Sequence, residues 1–196
     1  MTSVHDVLRA VGVEFEKGRD RPALRSECAR LATLVRSRGV YALGLFPASD
    51  DVAVPAPAMA LGRALADASP RPVGVVDVQG TWSCARALAA LAKPDGEPVV
   101  TSWALESLAV LTPRATDPAA GLPFLRTIVA NRGATFGHLV FDLTGLDHLG
   151  EHVAAFDALD AVALIARSGR TTTRQVQRGI CEIPVTRRLG VLLTGL

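Results

Sequence analysis

Two aspartates, Asp77 and Asp142, each close a short apolar run, "VGVVD" and "HLVFD". Carboxylates placed this way can ligate a metal or another ligand, or can be polar strand ends satisfied by nearby backbone N–H groups. Both readings stand on the sequence. A third candidate is the stretch 44–66, "GLFPASDDVAVPAPAMALGRALA". It runs from an apolar segment through a polar loop into an Ala/Leu helix, the layout of a phosphate-holding loop. That chemistry needs glycine-rich backbone N–H groups, a lysine to neutralise charge and a hydroxyl to ligate magnesium. The loop carries Asp50, Asp51, Pro55 and Pro57 instead, and no glycine stands between Gly44 and Gly62.

The other reactive residue types are less specific. His148 and His152 have the i, i+4 spacing that can present two imidazoles to zinc from one helix face, but a third ligand and the glutamate of H-E-x-x-H are absent. A solvent-facing amphipathic turn is the favoured reading. His138 leads into the strand before Asp142 and reads as a hydrogen-bonded structural residue; His5 carries no signal. Cys28, Cys84 and Cys181 are far apart, form no C-x-x-C and have no histidine next to them, so neither a disulfide framework nor a thiol nucleophile is expected. Arg167, Arg170, Arg174 and Arg178 recur every three or four residues, and the last three are expected on one face of a helix. That face reads as solvated, with docking of an acidic partner as the alternative. Trp82 and Trp103 read as packing residues, with an interface role open for Trp82.

The elements that must position these groups follow from the apolar patterning. The chain has 196 residues, 49% of them hydrophobic, enough for one domain with a core. Helical-period segments alternate with short runs rich in Val, Leu and Ile, the mark of a parallel sheet buried on both faces. Helices are expected at about 22–37, 55–68, 82–92, 119–131, 149–157 and 172–182. Strands are expected at about 40–46, 73–78, 108–111, 137–142, 161–166 and 189–193. This is an α/β, three-layer αβα domain over 22–196 with a mostly parallel sheet, preceded by an extension over 1–21. The segments 93–98, "KPDGEP", and 112–118, "TPRATDP", read as loops. In such sheets ligands sit beyond the carboxyl ends of strands, so 47–51, 77–81, 142–146 and 167–170 are the segments to watch.

The formal charge of +2, carried by arginines with only Lys17 and Lys93 as lysines, argues against nucleic acid as a partner. No stretch approaches the roughly 20 apolar residues of a membrane helix, so no direct membrane insertion is expected. His5, Asp6 and Arg9 stand where a signal peptide needs an apolar core, and a reduced cytoplasm is the expected compartment.

Taken in order, several stretches resemble the cytoplasmic kinase domain of bacterial tyrosine kinases (BY-kinases) from capsule and exopolysaccharide systems, relatives of ParA/MinD-type P-loop ATPases. "ALRSECARLATLV" (23–35) resembles the arginine-bearing helix before their first strand, and 44–66 covers their Walker A region. "VGVVDVQG" (73–80) resembles Walker A′ with Asp77 on its first aspartate, and the segment 108–146 resembles the run into Walker B with Asp142 on its aspartate. "ALDAVALIARSGRTTTRQVQRGICEIPVTRRLGVLLTGL" (158–196) is the closest stretch, matching an apolar strand, R-x-G-x-T, helix and L-G-V-V-L ending.

The departures carry most of the functional expectation. Val54 falls on the Walker A lysine, Pro55 on its Ser/Thr, Gln79 on the second Walker A′ aspartate and Thr81 on an arginine, while "DLTG" replaces a "DTPP" type of Walker B. The tyrosine-rich tail that accepts phosphate has no counterpart, Tyr41 being the only tyrosine. At about 1.5–3 kcal/mol per contact to a charged group, losing the lysine, the hydroxyl and two amides removes roughly 6 kcal/mol, about four decades of affinity. Asp51, Val54, Pro55, Asp77, Gln79 and Asp142 are therefore expected to be degenerate nucleotide-site positions that bind no cofactor and no metal.

The resemblance then implies a non-catalytic pseudo-ATPase or pseudokinase, acting as a regulatory or scaffolding partner in exopolysaccharide synthesis or export. Its partner would be a membrane polysaccharide co-polymerase, which would recruit it to the inner membrane, or a competent kinase or ATPase subunit, in homo- or hetero-oligomers. Arg170, Arg174, Arg178 and Trp82 are the candidate protein-binding residues. The alternatives are a ParA/MinD-like nucleotide-dependent switch with an atypical loop, and a RecA-like pseudo-ATPase.

Overall fold

The computed structural model describes residues 6–7, 22–91, 98–114, 117–131, 133–148 and 150–195. Of the extension expected over 1–21, only Asp6 and Val7 are described, and Val7 is buried in the core. The remainder of that extension, with His5 and Lys17, lies outside the described residues, as does most of the expected 93–98 loop with Lys93.

The strands are β1 (Ala42–Pro47), β2 (Val73–Asp77), β3 (Val99–Leu105), β4 (Leu108–Pro113), β5 (His138–Asp142), β6 (Ala161–Arg167) and β7 (Arg188–Thr194). The helices are α1 (Pro22–Ser37), α2 (Pro55–Ala66), α3 (Ala85–Leu91), α4 (Gly121–Asn131), α5 (His152–Ala158) and α6 (Thr173–Glu182). The strands form one sheet in the order β3-β4-β2-β5-β1-β6-β7, parallel throughout except for the antiparallel β3/β4 pair.

Alternate residues of the central strands feed two cores. Leu43, Leu45, Val75, Val140 and Ala163 pack on one face with Leu31 and Val35 of α1 and Leu61 and Leu65 of α2. Phe46, Val76, Phe141, Leu139 and Leu164 pack on the other with Phe124, Leu125 and Ile128 of α4 and Phe156 of α5. Both faces are covered, so these strands read as continuous apolar runs and not as alternating ones. Each fully buried Leu or Phe contributes about 2 kcal/mol of transfer free energy, which is what holds three layers together. α2 lies unusually close to the sheet: a Cβ at Gly62 would come within 2.5 Å of Val75 Cγ2, so only glycine admits this approach.

Three expectations change. β3 was not expected; "VVTSWAL" turns back through Glu106 and Ser107 with none of the usual Gly, Pro or Asn-Gly signals. Thr112 and Pro113, read as loop, are the last residues of β4, where Val99 and Val100 of β3 pair with them. The helix expected from residue 82 begins at Ala85, because residues 80–82 turn back over the end of β2.

α6 keeps only Gly179 fully buried, packs Val176 and Ile180 against the core, and is capped at its start. Thr172 Oγ1 accepts from the Gln175 backbone N–H, and Gln175 Oε1 accepts from the Thr172 backbone N–H, a reciprocal capping box. Thr172→Ala is expected to cost about 1 kcal/mol in urea unfolding; an unchanged midpoint would show that the cap contributes nothing.

Candidate functional site

The segments after β1, β2, β5 and β6 converge, because these four strands are neighbours in the sheet and point the same way. Asp77 and Asp142 end β2 and β5 in direct register. They are 1% and 3% exposed, with no cation in ion-pair contact among the described residues.

Trp82 joins them. Asp77 Oδ1 accepts from the Thr81 backbone N–H at 3.1 Å and Oδ2 from the Trp82 backbone N–H at 3.0 Å. The Trp82 indole N–H donates to Asp142 Oδ2 at 2.8 Å, while Asp142 Oδ1 accepts from the Thr144 backbone N–H at 2.9 Å and hydroxyl at 2.6 Å. Every carboxylate oxygen of the pair thus has a protein donor. The tight turn that returns Trp82 to β2 passes through Gly80 at φ +64°, a left-handed conformation that suits glycine. The acids are satisfied by backbone N–H groups, as one of the two readings had it, and also by an indole that the sequence did not point to.

Burial has an electrostatic cost that these donors only partly offset. Desolvation, reinforced by the Asp142 carboxylate, pushes Asp77 up to about 7, and desolvation raises Asp142 as well. Burial likewise pushes the Cys84 thiol up to about 11, which leaves it a packing residue with little thiolate.

The loop after β1 closes over the same side. Val52 and Val54 are 3% and 1% exposed and share a core with Trp82, Cys84 and Met59. Val54 sits at the N-cap of α2 with no side-chain cap, its carbonyl accepting from the Ala58 N–H at 2.9 Å. Pro55 and Pro57 contribute no N–H to the first turn, so the helix start offers few of the donors that make such ends anion sites. Gln79 is 6% exposed and its Nε2 has no partner among the described residues; a Cβ at Gly121 of α4 would lie 2.8 Å from it.

The rim holds the remaining candidates. Asp51 accepts from the Ser49 hydroxyl at 2.6 Å, and that bond, helped by Arg167 and Arg170, lowers its pKa. Arg170 lies in the turn before Thr172 and not on α6; only Arg174 and Arg178 are helical, both exposed, with Arg178 paired to Glu182 at 3.0 Å. Trp82 is corrected most clearly. At 4% exposure and with its indole spent on Asp142, it belongs to the interior and not to a docking surface.

His148 and His152 do not form a joint site. His152 stacks on Phe46 with centroids 5.7 Å apart and lies 3.7 Å from Glu182, whereas His148 is an exposed rim residue. The ligand atoms of His148, Asp50 and Asp147 approach within 4.8 Å of one another there. His138 has the structural role expected of it, its Nδ1 bonded to the Val40 carbonyl at 2.9 Å.

This layered sheet, with its acid-tipped neighbouring strands, is a P-loop-NTPase-like α/β fold. No protein-family profile matches the sequence, and no curated protein resembles it in sequence. Solved structures do resemble it in shape. The chimerical protein CapA2B2 matches 97% of this chain over 98% of its own, at TM-score 0.70 and 14% identity. The BceF tyrosine kinase domain matches 88% of the chain over 76% of its own, at TM-score 0.65 and 13% identity. The kinase domain of the Escherichia coli tyrosine kinase ETK matches 89% over 74% of its own, at TM-score 0.65 and 14% identity. Within the P-loop-like class, the chain has the fold of the bacterial tyrosine-kinase domains.

Proposed function

We propose that this chain is a non-catalytic relative of those kinase domains, a pseudo-ATPase that works by binding other proteins. The observation that carries this reading is Trp82, whose backbone N–H and indole N–H occupy both aspartates that would otherwise serve magnesium and phosphate. Val54, which the resemblance lays on the Walker A lysine, is buried, and two prolines stand in the first turn of α2; both support the same reading. A nucleotide-dependent switch would need the phosphate grip that these replacements remove.

By the same resemblance, the partner is a membrane polysaccharide co-polymerase or a competent kinase subunit at the cytoplasmic face of the membrane. Arg170, Arg174 and Arg178, all exposed, are the residues offered to an acidic surface on it. No helix among the described residues is long and apolar enough to cross a membrane.

The test is a titration of the ¹⁵N-labelled chain with magnesium-ATP and magnesium-ADP to about 1 mM, some three decades above the micromolar affinity of a working site. The expected result is no saturable shift at the amides of residues 48–54, Ala56, Ala58 and 80–84. Saturable shifts there at micromolar nucleotide would overturn the reading.

A further inference from the structure

The opposite edge of the sheet holds a groove of about 270 Å³, lined by Arg38, Gly39, Val40, Asp160, Thr186 and Arg187, with Ala161 and Arg188 closing it. It opens at the amino ends of β1, β6 and β7, away from the aspartate pair. Three arginines line it against one aspartate.

These cations are not there to neutralise acids. Arg38 donates to the Arg188 carbonyl at 3.4 Å, Arg187 to the Asp160 and Asp157 carbonyls at 3.5 and 3.4 Å, and Arg188 Nε to the Ile183 carbonyl at 2.8 Å. None of the three has an ion-pair partner among the described residues, although Arg187 and Arg188 are half-buried. The sole carboxylate, Asp160, has its Oδ2 engaged by the Tyr41 and Ala42 backbone N–H groups at 2.9 and 2.8 Å. α1, α5 and α6 all end nearby, and their carbonyl ends favour cations. Helix ends thus place three arginines side by side, while most of their five donors each stay uncommitted.

Guanidinium groups without ion-pair partners around one cavity, two of them on half-buried residues, fit a compact oxyanion, which the planar fork can grip with two bonds at once. The volume lies just below the roughly 300–1,000 Å³ of pockets for drug-sized ligands, so a small group is indicated. We propose that this groove binds a phosphate monoester or diphosphate group, held by Arg38, Arg187 and Arg188 with the Thr186 hydroxyl as a further donor. It is independent of the nucleotide position at the other sheet edge.

The probe is sodium pyrophosphate, with inorganic phosphate in parallel, titrated into the full chain at low ionic strength and followed by calorimetry and ¹⁵N amide shifts. Saturable binding with shifts centred on Gly39, Val40 and Ala161 is expected, and it should weaken as salt rises. Arg38→Gln and Arg187→Gln should each weaken it about tenfold or more, whereas Arg126→Gln, at an exposed position of α4, should not change it. Arg38→Gln carries the test if Arg187→Gln, which removes two contacts to carbonyls, fails to fold. No saturation at about 5 mM pyrophosphate, equal affinity in Arg38→Gln, or equal weakening by Arg126→Gln would each overturn the proposal.

Discussion

Replacing Trp82 with alanine should lower the unfolding free energy by about 3–5 kcal/mol, the largest effect expected of a single side chain here. Two losses combine. The indole is 4% exposed and shares a core with Val52, Val54 and Met59, so truncation leaves a cavity between α2, α3 and the sheet. Asp142 Oδ2 also loses its 2.8 Å donor while staying buried, and an unsatisfied buried acceptor costs about 1–3 kcal/mol. Trp82→Phe separates the terms, because it keeps most of the volume and removes only the N–H; it should cost about 1–3 kcal/mol. Urea unfolding of both variants is the measurement. If Trp82→Phe is as stable as the parent, the indole–Asp142 bond contributes nothing and the clamp is packing alone.

The second large effect is an inverted pH dependence. In the unfolded chain Asp77 titrates near 3.8, and in the folded chain near 7. Between those values the native state holds a proton that the unfolded state has lost, so stability falls as pH rises through the window. The contribution is fully present below about pH 4 and gone above about pH 7, a total on the order of 4 kcal/mol. Asp142, raised by burial, acts with the same sign. From pH 5.5 to 8 the chain should lose about 2 kcal/mol through Asp77. Asp77→Asn should flatten that slope. An amide has one acceptor for the two N–H groups of Thr81 and Trp82, so the variant is also destabilised by a pH-independent offset, and the slope is the readout. A parent equally stable at both pH values, or a slope unchanged in Asp77→Asn, would show that the aspartate is ionised in the folded state.

The fold was legible because its signals are local and redundant. Runs such as "VGVVD" and "HLVFD" are apolar at consecutive positions, which only a doubly covered strand tolerates, and the helices between them have a clear period. β3 is not legible because residue type and burial part company along it, with Ser102 buried and Trp103, read as a packing residue, 46% exposed, and because its turn lacks a marker residue. The candidate site was half legible. Asp77, Asp142, Val54 and the prolines could be placed by their distance from strand ends and helix starts, which chain order preserves.

Trp82 could not. Its partner, Asp142, is 60 residues away and meets it only because β2 and β5 are adjacent in the sheet and in register at their tips. The groove of Arg38, Arg187 and Arg188 is of the same kind, since it needs the starts of β1, β6 and β7 side by side. By itself the sequence determined the layered α/β architecture and the lack of a lysine, and of any glycine between Gly44 and Gly62, in the loop after β1, because composition and period are properties of single segments. Tertiary structure decided that a buried tryptophan bridges the two acids at the tips of β2 and β5, and where the arginines without ion-pair partners gather, because both depend on strand order and register.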